Sequence, residues 1–225
     1  MPRLPRADAA RQLQLPVGQS VILFLMPLPT RDAELVQIVD DSLADAAQRA
    51  GVLLACRRGC TQCCHGAFAI NALDEARLRS GMAHLRSADP SLAAIIEQRA
   101  QAWLAEYGPA YPGDRETGIL GTSSADQMRF EDFANDAPCP ALDPATGRCD
   151  VYAWRPMTCR VFGPPVRSAN DEGAEGLGHC ELCFIGATPE QVAACEMPVP
   201  HTLEAEILLE IGFETETIVA FGLLG

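Results

Sequence analysis

Apolar positions recur at helical spacing along the first hundred residues and then lose that rhythm. Leu35, Val36, Ile38, Val39, Leu43, Ala46 and Ala47 fall on one stripe, which predicts a helix capped by Thr30 and running to about Ala50. Asp32 and Glu34 sit in its first turn, where the helix dipole favours acid, and Gly51 ends it. Asn71 reads as the cap of a second helix over about 72–86, with Asp74 at its third position. Asp89-Pro90 opens a third, because proline at the first helical position loses only an amide that would be unpaired anyway. Leu92, Ile95, Ile96, Trp103 and Leu104 line one face of that helix to about Tyr107.

From Gly108 the texture turns to Gly, Pro, Ser and acid, with one short helix expected around 125–133. Residues 139–187 read as loops, Thr188-Pro189-Glu190-Gln191 as a helix start leading to Cys195, and Leu203 to Ile211 as a last amphipathic helix. The segment 108–187 carries too little periodic apolar pattern to order itself, so something else should staple it. The expected architecture is mainly α, a single small domain whose irregular, cysteine-rich second half is held by metal. Its expected divisions are an N-terminal arm over 1–29, a cysteine-cluster domain over 30–200, and a C-terminal helix and tail over 201–225.

Composition supports a folded chain: 225 residues, 48% apolar, enough to bury roughly 70–75% of the unfolded surface as one unit. Charge narrows the partners. Seventeen basic residues, every one arginine, stand against thirty acidic ones, a formal net charge of −13. Nucleic acid and anionic membranes bind basic faces that release counterions, so this chain is expected to take neither. Aromatics at 6% are also too sparse for a base-stacking platform. The strong apolar run Val21–Pro29 is broken by Pro27 and falls short of the roughly 20 residues a bilayer span needs. With Asp8 before it and no small-residue cleavage signal after it, the run reads as a packing arm or first strand, and the expected compartment is the cytoplasm.

Ten cysteines carry the chemistry, and they cluster at 56, 60, 63 and 64, at 139, 149 and 159, and at 180, 183 and 195. Secreted disulfide scaffolds are shorter and spread their cysteines, whereas thiols this close chelate. In Cys56-Arg-Arg-Gly-Cys60-Thr-Gln-Cys63-Cys64-His65, a tight turn at Gly59 would let several thiolates converge. Adjacent side chains point about 100° apart on a helix and oppositely when extended, so Cys63 and Cys64 are not expected on one ion. Cys139, Cys149 and Cys159 follow among turns at Pro140 and Asp143-Pro144, and Cys180-Glu-Leu-Cys183 forms a knuckle of the kind that holds zinc or an iron–sulfur corner. His65 and His179 each adjoin a cysteine and could ligate. Tyr152 and Trp154 are expected to pack over the second cluster. Cys195, inside a helix and beyond the last knuckle, is not expected to ligate.

The pattern C-R-R-G-C-T-Q-C-C-H, followed by C-P-A-L-D and by G-R-C-D-V-Y-A-W-R-P-M-T-C-R, resembles the YkgJ-type cysteine-cluster family over roughly residues 50–185. That family is also described as the CxxCxxCC domain, a zinc or iron chelator. The resemblance implies metal ligation by Cys56, Cys60, Cys63, Cys64, Cys139, Cys149 and Cys159, and less directly by Cys180 or Cys183. A similar cluster occurs in the larger flagellin lysine N-methylases, whose methyl-donor domain this sequence does not show. The same C-x₃-C-x₂-C spacing serves radical SAM enzymes, but Gln62, Cys64 and the flanking helices depart from their pattern.

A soft, sulfur-rich, histidine-poor donor set suits an iron–sulfur cluster, 4Fe–4S in the first place, and zinc in the second. Four thiolates leave either centre at −2, so positive charge is wanted nearby. Arg57, Arg58, Arg155 and Arg160 stand beside the cysteines and could supply it by hydrogen bonds to sulfur, or could simply be solvated. The expected function is metal binding without an assigned role. An enzyme using the cluster for redox or methyl-transfer chemistry is the alternative.

Overall fold

The computed structural model describes residues 28–169, 175–212 and 214–225. Most of the expected N-terminal arm, including Val21–Met26 and Pro27, lies outside them. Among the described residues the chain is predominantly helical, with only small sheets.

Helix α1 covers Asp32–Ala50, α2 Ala72–Ala88 and α3 Pro90–Tyr107. Asn71 Oδ1 accepts the Asp74 amide at 2.9 Å, and Asp89 Oδ1 accepts that of Leu92 at 3.0 Å, so both predicted caps close orphan donors. The Thr30 cap does not form. Arg31 takes the cap position with no side-chain bond, and Asp32 turns inward to Arg77. Two residues of the expected stripes also turn outward: Ile38 is 38% exposed and Ile95 51%. The buried face of α3 runs through Ala93, Ile96, Ala100 and Trp103, where small residues let α2 approach closely.

The shorter helices are α4 (Ser124–Glu131), α5 (Met157–Val161), α6 (Pro189–Ala193), α7 (His201–Ile211) and α8 (Val219–Gly222). Ser123 caps α4, and Thr188 with Gln191 forms a capping box on α6. Strand β1 (Ala69–Asn71) pairs antiparallel with β6 (Glu216–Ile218), joining Ile70 to Thr217 across 147 positions. The loop-rich segment also holds two hairpins, β2 (Leu142–Asp143) with β3 (Arg148–Cys149), and β4 (Val166–Ala169) with β5 (Glu175–Gly178).

The main core gathers Leu78 and Met82 of α2, Ile96 of α3, Ile70, Val219 and Leu223, and Cys139, Cys149 and Trp154 pack on it. A second core joins α1 to Leu73, Met157, Met197 and Ile207. The cysteine loops therefore lie on two packed surfaces that meet at α2.

Candidate metal centre

Three contacts across the sequence fix the cysteine loops. The Cys139 amide donates to the Cys64 carbonyl at 2.7 Å and the Gly66 amide to Ala137 at 2.9 Å, so the two cysteine loops run side by side. Arg99 of α3 donates to the Leu142 carbonyl at 2.8 Å and pairs with Asp150, which holds the β2–β3 hairpin and Cys149 against the helices. The Met157 amide, first of α5, donates to Asp74 Oδ1 at 2.8 Å, so a carboxylate from α2 anchors the start of the turn that carries Cys159.

Between these loops lies a cavity of about 510 Å³, and seven of the nine cysteines named from sequence line it: Cys56, Cys60, Cys63, Cys64, Cys139, Cys149 and Cys159. Cys180 and Cys183 are buried behind its edge, in an apolar cluster with Ala50, Phe184 and Cys195. Leu43 and Val219 close the cavity on its helical side, and Arg57, Arg58, Arg148 and Tyr152 stand among its walls. Among the described residues no three His, Cys, Asp or Glu side chains are already drawn to single-ion distance. The thiols stand around a volume, not on a point.

Within that volume the thiols fall into two neighbourhoods. Cys63 and Cys64 touch each other and sit within electrostatic reach of Cys139 and Cys149, and Cys159 faces the same group. Cys56 is in hydrogen-bond contact with Cys183 and near Cys60 and Cys180. The C-x₃-C-x₂-C run is thus divided between Cys60 and Cys63 by the 3₁₀ turn Gln62–Cys64. The same turn sets Cys63 and Cys64 in mutual contact on one wall of the cavity.

Backbone amides point at several sulfurs. Ala141 donates to Cys139, Val151 to Cys149 and Leu182 to Cys180, in each case from two residues onward. This repeated knuckle favours thiolate over thiol. Burial acts the other way and outweighs the nearby Arg99 and Arg155. It pushes Cys139 up to about 12 and Cys149 to about 11, and raises Cys159 well above the usual thiol range. Cys63 alone is brought down, to about 6, by the Cys64 thiol donating to it, by its own amide, and by Arg155 and His65 nearby. The giving partner, Cys64, is raised for the same reason. The raised thiols give up protons when they bind metal, which makes their affinity for metal pH-dependent.

The remaining candidates fall differently from expectation. Arg155 and Arg160 line the cavity, but their hydrogen bonds go to Asp40 of α1 and to backbone carbonyls; Arg160 Nη1 reaches both Asp40 oxygens at 2.8 Å. They offer charge at a distance. Among the described residues Arg57 reaches the Ala55 carbonyl at 3.5 Å. His65 bonds the Thr61 carbonyl and His179 the Cys180 carbonyl, each at 3.0 Å through Nδ1, and neither lines the cavity. Tyr152 does line it, under the Arg155 guanidinium at 3.9 Å. Trp154 instead packs on Gly81 and His84 of α2. Asp40 and Asp74 position the loop and were not legible as such, because each reads as an ordinary helix acid.

Among the described residues no helix is long and apolar enough to cross a membrane. No curated protein and no solved structure matches the chain. Residues 55–181, more than half of its length, match the family described as "CxxCxxCC: Putative zinc- or iron-chelating domain". The chain belongs to that CxxCxxCC family, which is described as zinc- or iron-chelating.

Proposed function

We propose that this protein is a cysteine-ligated metal module whose cavity takes an iron–sulfur cluster, 4Fe–4S in the first place, in a reducing compartment such as the cytoplasm. The observation that carries this reading is the cavity itself, with Cys63, Cys64, Cys139, Cys149 and Cys159 around it and no histidine in its walls. All-sulfur donors suit iron–sulfur chemistry, and thiols set around a volume suit separate iron corners better than one zinc ion, whose four Zn–S bonds of about 2.3 Å crowd the sulfurs together. When bound, such a cluster supplies one-electron redox chemistry and a cross-link between loops. The chain's own part is to present amide-bonded thiolates, to exclude water with Leu43, Ala141, Val151 and Val219, and to hold Arg155 and Arg160 nearby to offset negative charge.

A second reading, an enzyme with substrate beside the cluster, is favoured by the cavity's arginine-bearing wall. Arg58 and Arg148 make no side-chain hydrogen bond or ion pair with described residues, and so remain available to an anionic substrate. Anaerobic purification followed by iron, zinc and sulfide assays tests the leading reading. A brown protein with acid-labile sulfide is expected. A colourless protein with stoichiometric zinc and no sulfide overturns the iron–sulfur assignment, and one with neither metal overturns metal binding altogether.

A further inference from the structure

The two knuckle cysteines need a separate account, because Cys180 and Cys183 do not line the cavity. They are 4% and 1% exposed, in an apolar pocket beside the chain that leads into Cys56. The Phe184 amide donates to the Leu53 carbonyl at 2.7 Å, which pins the knuckle to that chain. Gly163 links the pair from a third side. Its carbonyl accepts the Cys180 amide at 3.2 Å, and a Cβ built on it would lie 2.7 Å from the Cys56 sulfur. With a φ of +126° and that sulfur against it, the position admits only glycine. From the fourth side, Arg57-Arg58-Gly59 turns so that the Cys60 amide bonds the Arg57 carbonyl at 3.0 Å, and Gln62 Nε2 reaches Glu181 Oε1 at 2.6 Å across the outside.

We propose that Cys56, Cys60, Cys180 and Cys183 form a second four-thiolate site that takes one zinc or iron(II) ion, at the edge of the cavity where Cys56 and Cys60 stand and apart from the five thiols that take the cluster. This rests on the metal-binding reading above and adds a division of labour to it. Cys56, Cys60 and Cys180 fall within the segment that matches the family and Cys183 lies just beyond it, so the match by itself does not group these four. Two cysteines come from each of two loops, each pair closed by a turn, and the Leu182 amide points at the Cys180 sulfur. Binding breaks four S–H bonds, forms four metal–sulfur bonds and releases four protons to solvent, with no change of oxidation state. The product carries 2 − 4 = −2, and Arg57 and Arg58 lie on the turn between two of its ligands. The ion draws in thiols that now stand apart, which makes metal binding part of local folding. Its role is structural: it clasps the 180–183 knuckle to the end of α1.

The test compares the full-length protein with Cys183→Ser and Cys149→Ser, all purified anaerobically. Cys183→Ser is expected to lose one metal ion per chain while keeping its sulfide and visible absorption. Cys149→Ser is expected to lose sulfide and colour while keeping the single ion. A wild-type zinc titration of the metal-free chain, read by thiol alkylation and mass spectrometry, avoids any misfolding of the variants. Cys56, Cys60, Cys180 and Cys183 should become protected together, with one midpoint. The proposal is overturned if Cys56 or Cys60 tracks with Cys139 and Cys149, if all metal leaves with Cys183, or if a Cys180–Cys183 disulfide replaces the metal. Wild-type protein that binds no metal at all sinks the underlying reading with it.

Discussion

Gly81 sits in the middle of α2, where glycine costs helix stability and alanine would ordinarily be preferred by about 0.5–1 kcal/mol. The structure reverses that sign. A Cβ on residue 81 would lie 2.5, 2.6 and 2.8 Å from three atoms of the Trp154 side chain. An ordinary carbon contact is about 3.5 Å or more, so the indole must retreat by about 1 Å. It has little room, since Trp154 packs on the main core with His84 tilted against it at 5.3 Å. Overpacking at such a site costs about 3 kcal/mol, the upper end of its usual range. Subtracting a helix-propensity gain of about 1 kcal/mol leaves Gly81→Ala destabilised by about 2 kcal/mol. For a chain of this size that is a fall in Tm of about 4–8 °C. Trp154 stands between Cys149 and Cys159, so the shift should also weaken metal retention against a chelator. Chemical denaturation of Gly81→Ala, with Ser80→Ala on the exposed face of the same helix as control, measures it. A Gly81→Ala protein as stable as wild type, or more so, would refute the close packing of Trp154 on α2.

Three further outcomes follow from the same structure. Cys195→Ala should keep its full metal content despite lying in the apolar cluster with Cys180 and Cys183, and loss of half the metal or more by elemental analysis would contradict it. Removing metal with a chelator should open residues 139–187 to limited proteolysis while α1 to α3 stay protected, because the helices supply most of the two main cores and the loops add only scattered residues to them; early cuts within α2 or α3 would count against this. Asp74 is pushed up to about 6, chiefly by burial, with Arg77 and the Met157 amide opposing it. Its unfolded value is about 3.9, so the folded state holds the extra proton between about pH 4 and pH 6, and this group's contribution to stability falls as pH rises through that window and is flat above it. Denaturation of wild type and Asp74→Asn across pH 4–7 should show that component only in the wild type, and parallel curves would exclude it.

The helices were legible where their ends are written in local chemistry: Asn71, Asp89 and Thr188 each sit where a free amide needs an acceptor. Thr30 had the right side chain, but Asp32 found a buried partner in Arg77 and set the helix start by tertiary contact instead. The β1–β6 pair was invisible because three-residue strands carry almost no periodicity and their partners are far apart in sequence. The cysteines announced metal, yet their grouping depended on the turn at Gln62–Cys64 and on the side-by-side run of residues 64–66 and 137–139, neither of which spacing encodes. Asp40 and Asp74 reach across more than 80 residues to hold the Cys159 turn, and a helix-surface acid looks the same in sequence whether or not it does so.

Val219 closes one side of the cysteine-lined cavity and follows β6, which pairs with β1 immediately after the first cysteine loop. All ten cysteines are translated before it, the last at 195. A nascent chain therefore displays every thiol before it has the wall that shelters them. During that interval the thiols are open to oxidants and stray metal ions, and the cavity is closed on that side only once residues 216–223 have docked. Docking of residues 216–223 therefore completes the cavity after every one of its thiols has been made.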